Sequence, residues 1–153
     1  MRTSVRKEFE TFDASNKRVG IVVAQFNADI TGKLLESALK RTEDYQIKEA
    51  NVDVIAVAGA IEIPLALQRL AMAQDYYALV AIGCIIKGDT PHFDYVCKFV
   101  TEGILRVQLD RDLPIAFGIL TCNNYQEAED RANLGGEHLD AVLQQAHALE
   151  FLK

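Results

Sequence analysis

Four short apolar runs alternate along this chain with stretches of helical period, and that alternation constrains the fold more than any other feature. The runs are Val19 to Gln25, Val52 to Val57, Ala78 to Ile86 and Ile115 to Thr121. Each is strand-sized, and the longest, the apolar and β-branched Ala78 to Ile86, reads as a buried strand. Between them lie amphipathic segments. Asp29 to Arg41 carries Ile30, Leu34, Leu35, Ala38 and Leu39 on one side. Pro64 to about Ala73 begins with a proline suited to a first helical turn. Phe93 to Leu109 is the third helix. Two more helices are expected at the end, Tyr125 to Ala132 and Glu137 to Leu152, with Gly135-Gly136 as the break between them. Strands alternating with helices predict a parallel sheet with right-handed crossovers, covered on both faces. Residues 1–18 fall outside this pattern. With Phe9 and Phe12 set among polar residues, they read as an N-terminal arm, either disordered or paired with a neighbouring subunit.

Composition bounds the function. A chain of 153 residues that is 50% hydrophobic suits one domain with a sizeable core, and no linker or repeat divides it. The net charge of -6 argues against a nucleic-acid partner. An anionic ligand would therefore need local cations set against the mean field. The first 16 residues are polar, so no signal peptide is expected, and no apolar run reaches the length of a membrane span. Cys84, Cys97 and Cys122 have no metal-ligand spacing. They read as buried, reduced thiols in a cytoplasmic protein.

The unusual residues converge on one edge of the expected sheet. Phe26-Asn27 follows the first strand, and Gly59-Ala60-Ile61-Glu62 the second. Lys87 to His92 follows the third, and Thr121-Cys122-Asn123-Asn124 the fourth. All stand at carboxyl ends of parallel strands, where α/β folds bind ligands. The turn Gly88-Asp89-Thr90-Pro91 runs into the helix that His92 opens, and turn amides at a helix N-terminus favour an anion. Each residue also has a plainer reading. Phe26 alone would be core, and Glu62 a favourable first-turn carboxylate. His92 alone would be a helix cap, Asp89 and Thr90 turn residues, and Arg131 a solvated charge. Together they describe a stacking ring, a carboxylate for hydroxyls and, beside an anion site, a histidine, the residue type suited to acid and base work near neutrality.

These residues stand in four segments that resemble one family. They are Gln25-Phe26-Asn27 with Ile30; Gly59 to Pro64; Gly83 to Val96; and Phe117 to Thr121 followed by Gln126-Glu127-Ala128 and Arg131-Ala132. In order and content they resemble the lumazine synthases of riboflavin biosynthesis, over nearly the whole chain from Val19. The third segment, which contains Gly88-Asp89-Thr90-Pro91-His92-Phe93-Asp94-Tyr95, is the most specific. It favours this family over the small riboflavin synthases that share the architecture.

The resemblance implies a three-layer α/β/α sandwich with a four-stranded parallel sheet in flavodoxin-like order, plus an N-terminal strand or arm. It implies condensation of 5-amino-6-(D-ribitylamino)uracil with 3,4-dihydroxy-2-butanone 4-phosphate, with no metal or cofactor. Phe26 would stack on the pyrimidine, and Asn27 would line its pocket. Ala60, Ile61 and Glu62 would hold the ribityl chain, and Cys84, Ile85 and Ile86 would meet the uracil edge with main-chain groups. Asp89, Thr90 and Arg131 would hold the phosphate, and His92 would move protons. Phe117 and Arg131 would come from the neighbouring subunit of a homopentamer, which can stand alone, stack as a decamer or close into a sixty-subunit shell. One departure stands out. Where the family places a second phosphate-binding Lys, this chain has Asn133-Leu134-Gly135-Gly136-Glu137-His138-Leu139, with Leu139 nearest that position and His138 beside it. That gap leaves open a catalytically weak flavin-binding or assembly protein.

Overall fold

The computed structural model describes residues 9–152. The elements run β1 (Val19–Ala24), α1 (Ala28–Asp44), β2 (Val52–Val57), α2 (Ile63–Ala73), β3 (Ala78–Ile86), α3 (His92–Arg111), β4 (Ile115–Cys122), α4 (Tyr125–Asp130) and α5 (Gly135–Leu149). The four strands pair in parallel in the order β2-β1-β3-β4, the expected flavodoxin-like sheet. Central β1 is buried along its whole length and β3 nearly so, which explains their uninterrupted apolar runs.

Strand alternation divides the core into two halves. Val19, Ile21 and Val23 of β1, with Val80, Ile82 and Cys84 of β3, pack under α1 and α5. Val22, Ala24, Leu79, Ala81 and Ile85 face the other way, against α2 and α3. Helices thus cover both faces in three layers.

Several expectations change. Gly135-Gly136 is the first turn of α5, not a break. A Cβ on Gly135 would lie 1.8 Å from the Leu34 carbonyl oxygen, so glycine lets α5 touch the backbone of α1. The Gly136 N–H donates to Ser37 Oγ at 2.9 Å across the same seam. Further along, Asp140 accepts from both Arg41 and Tyr45, at 2.8 and 2.6 Å. The described part of the N-terminal arm packs on its own chain. Phe12 stacks on His147 of α5 and meets Tyr45 edge-on, and the Ala14 N–H donates to the Tyr45 carbonyl. Phe12 thus has partners on α1 and α5 of its own chain, whereas Phe9 stays 48% exposed. The first eight residues of the expected arm lie outside the described ones. Cys84 and Cys122 are buried as expected, but Cys97, on α3, is only half-buried.

Candidate active site

The site begins where β3 outruns β1. Pairing with β1 stops at Val23–Ile82, whereas pairing with β4 continues to Ile86–Cys122. On the β1 side, the backbone from Cys84 to Ile86 has passed the end of its strand neighbour. Asn27 takes up part of that edge. Its Nδ2 donates to the Cys84 carbonyl at 2.9 Å. It can do so because its backbone is left-handed (φ 61°), which turns the chain from β1 into α1. Asn tolerates that conformation better than most residues. The Phe26 N–H donates to the Ala58 carbonyl, which leaves the Phe26 ring outside the core and 72% exposed.

Beside this edge is a pocket of about 440 Å³. Of the thirteen residues singled out from sequence, nine line it: Phe26, Ala60, Ile61, Glu62, Cys84, Ile85, Ile86, Thr90 and His92. Asn27 instead latches the pocket's backbone edge through Cys84. Asp89, Phe117 and Arg131 do not line the pocket. Phe117 lies on edge strand β4, 41% exposed, with the parity of Ile115 and Ile119. It therefore points to the α2–α3 side of the sheet, as the pocket does, but from the far edge. Arg131 follows α4, exposed, with one guanidinium nitrogen donating to the Glu127 carbonyl at 2.8 Å.

Local chemistry holds the pocket walls. Ala60–Glu62 forms a 3-10 turn ahead of α2, and Glu62 accepts from the Gly59 N–H at 3.1 Å. That contact fixes the carboxylate at the rim, in the favourable first-turn position. His92 is the first residue of α3 rather than its cap, and its N–H reaches Thr90 Oγ1 at 3.4 Å. The imidazole is exposed at the pocket edge. Burial pushes the Cys84 thiol up to about 12, so it remains protonated and does not serve as a nucleophile.

The pocket is also lined by Gly59 and Gly88, named in the sequence without a role, and by Ala58, Phe93 and Val96, which were not singled out. Val96 stands four residues after His92, on one helix face, and that spacing was the available signal. Leu139, nearest the place of the family's second Lys, is fully buried between α5 and the sheet. His138 packs against β4 beside Gly118. Leu139 offers no cation, and His138 is turned toward the sheet.

A family model described as 6,7-dimethyl-8-ribityllumazine synthase matches residues 16–150. The 6,7-dimethyl-8-ribityllumazine synthase of Parabacteroides distasonis is 45% identical over 82% of this chain and 78% of its own length. The protein of the same name from Mycobacterium sp. (strain KMS) is 47% identical over 89% of this chain and 82% of its own. That from Bacteroides fragilis is 39% identical over 88% and 96%. The chain belongs to the 6,7-dimethyl-8-ribityllumazine synthase family.

Proposed function

We propose that this chain is a working lumazine synthase: a single domain, in the cytoplasm, that joins 5-amino-6-(D-ribitylamino)uracil to 3,4-dihydroxy-2-butanone 4-phosphate. The observation that carries the reading is the pocket itself. It brings an exposed stacking ring (Phe26), an anchored rim carboxylate (Glu62), open β3 backbone and His92 to one sheet edge.

Phe26 would stack on the pyrimidine, and the main chain from Cys84 to Ile86 would meet its polar edge. Ala60 to Glu62 would hold the ribityl chain. Asp89 and Thr90, at the start of α3, would receive the phosphate with Arg131. The substrate amine attacks the ketone and gives an imine with loss of water. Phosphate leaves, the second amine closes the ring, and another water departs. Holding both reactants together supplies much of the rate. His92 adds proton transfer worth roughly 10²–10⁴-fold.

A pentamer fits the residues that this chain's own pocket leaves out. Phe117 and Arg131 would complete the pocket of the next subunit. Large apolar side chains stand exposed on β2 (Val54, Ile55), α2 (Leu65, Met72) and α3 (Tyr95, Phe99). Exposed apolar side chains of this kind suit an interface between copies of the chain. A heterologous contact between such faces and the far edge of a second copy closes into a ring.

The test is incubation with both substrates while lumazine absorbance or fluorescence is followed. Product formation at enzymatic rates is expected. Binding of flavin-like ligands with no product would overturn the reading.

A further inference from the structure

Helix α4 leads directly into Arg131, yet little holds it in place. It has six residues and one buried side chain, Ala128. Its polar contacts are mostly internal. Asn124 caps it by accepting from the Glu127 N–H, Asn123 bonds Glu127, Gln126 bonds Asp130, and Arg131 bonds the Glu127 carbonyl. Among the described residues, one side-chain hydrogen bond leaves the segment 123–131: the Tyr125 hydroxyl donates to Asp29 Oδ2.

Asp29 is a firm anchor. It sits in the first turn of α1, a helix of 17 residues, next to buried Ile30 and Thr31. Two residues before it, Asn27 is latched to the Cys84 carbonyl. Of the two ends of the Tyr125–Asp29 bond, α4 is therefore the movable one. A phenol donating to a carboxylate is among the stronger hydrogen-bond types. The bond holds the Asp29 carboxyl below its usual range and pushes the Tyr125 phenol up to about 12, so the partners keep the charge states the contact needs.

We propose that Tyr125 is a positioning residue: through Asp29 it fixes α4 against the Phe26–Asn27 turn and so sets where Arg131 presents its guanidinium. The inference rests on the reading of Arg131 as a phosphate ligand. If Arg131 serves the next subunit's site while Phe26 serves its own, the bond ties the substrate-binding elements of adjacent sites.

Tyr125→Phe removes only the hydroxyl of a side chain that is 44% exposed, so the fold remains. Two readouts are taken on the full-length protein. The first is steady-state kinetics with each substrate varied. The KM for the butanone phosphate should rise by about tenfold, short of the roughly hundredfold that a full ångström of misplacement can cause. The KM for the pyrimidine and the melting temperature should hardly move. Asp29→Ala should reproduce the effect, Asp29→Asn, which keeps an acceptor, should restore most of it, and the Tyr125→Phe/Asp29→Ala double variant should be no worse than either single one. The second readout is amide hydrogen exchange, which should quicken in α4 and remain slow in β1 and β3. An unchanged KM in an active enzyme, a purely additive double variant, or unchanged exchange in α4 would overturn the proposal. A wild-type protein that forms no lumazine would instead overturn the functional reading, and the exchange measurement would still decide whether the bond holds α4.

Discussion

Replacing Phe26 by Ala separates a ligand-stacking ring from a core ring by magnitude alone. A buried Phe truncated to Ala costs about 3–5 kcal/mol. Phe26 is 72% exposed, so roughly a quarter of its surface is covered. Full burial of such a side chain is worth about 1.5–3 kcal/mol, which scales to about 0.5 kcal/mol here. The melting temperature should therefore fall by no more than a few degrees. Binding should respond differently. Stacking of a nucleobase on an aromatic side chain is worth about 1–3 kcal/mol by alanine substitution. That corresponds to a loss of about fivefold to more than a hundredfold in affinity for the pyrimidine substrate and for riboflavin-like ligands. Ligand titration beside thermal melting gives both numbers on one sample. A melting temperature lowered as a core truncation would lower it, with affinity unchanged, would refute the reasoning.

Four other substitutions follow from the geometry. Arg131→Ala should raise the KM for the butanone phosphate more than that for the pyrimidine, because a guanidinium is a strong bidentate phosphate partner. Inorganic phosphate should compete with that substrate in the wild type, and steady-state kinetics would expose indifference to either change. Leu139→Lys, meant to restore the family's second cation, should instead destabilise the protein by several kcal/mol and leave phosphate affinity no better, because position 139 is fully buried among apolar side chains. Denaturant unfolding checks this, and a stable variant with a lowered phosphate KM would contradict it. Gly135→Ala should cost about 1–3 kcal/mol or more, since its Cβ would press on the Leu34 carbonyl. Gly32→Ala, in an α1 position with nothing within 4 Å of the new Cβ, should be neutral or stabilising by up to about 1 kcal/mol.

What the sequence made legible was local or periodic. Val19 to Ala24 and Ala78 to Ile86 read as strands because both of their faces are buried, so every position is apolar. Phe26, Glu62 and His92 read as neighbours because the parallel sheet sends every strand's carboxyl end to one edge. What it hid depends on distance along the chain. Gly135-Gly136 looks like a helix break, since nothing local reveals that α1 lies against it. Phe12 looks unpartnered because His147 and Tyr45 are far off in sequence. Asp29 and Tyr125 stand 96 residues apart on different helices, with no motif to join them. The gap at Leu139 was visible in the sequence, but that leucine's place in the core was not.

The central claim is a catalytic site shared between subunits, with His92 from one chain and Arg131 from the next. Mixed rings test it most directly. His92→Ala alone should slow turnover by roughly 10²–10⁴-fold without abolishing it, since proximity persists. Arg131→Ala alone should be impaired at low phosphate substrate. After the two variants are unfolded together, refolded and shown to have exchanged subunits, roughly a quarter of the interfaces in an equal mixture should carry neither defect. Activity at low substrate should then recover to about that fraction of wild type. Mixed rings no more active than the average of the two parents would mean that each site is built within one chain, and would contradict the account.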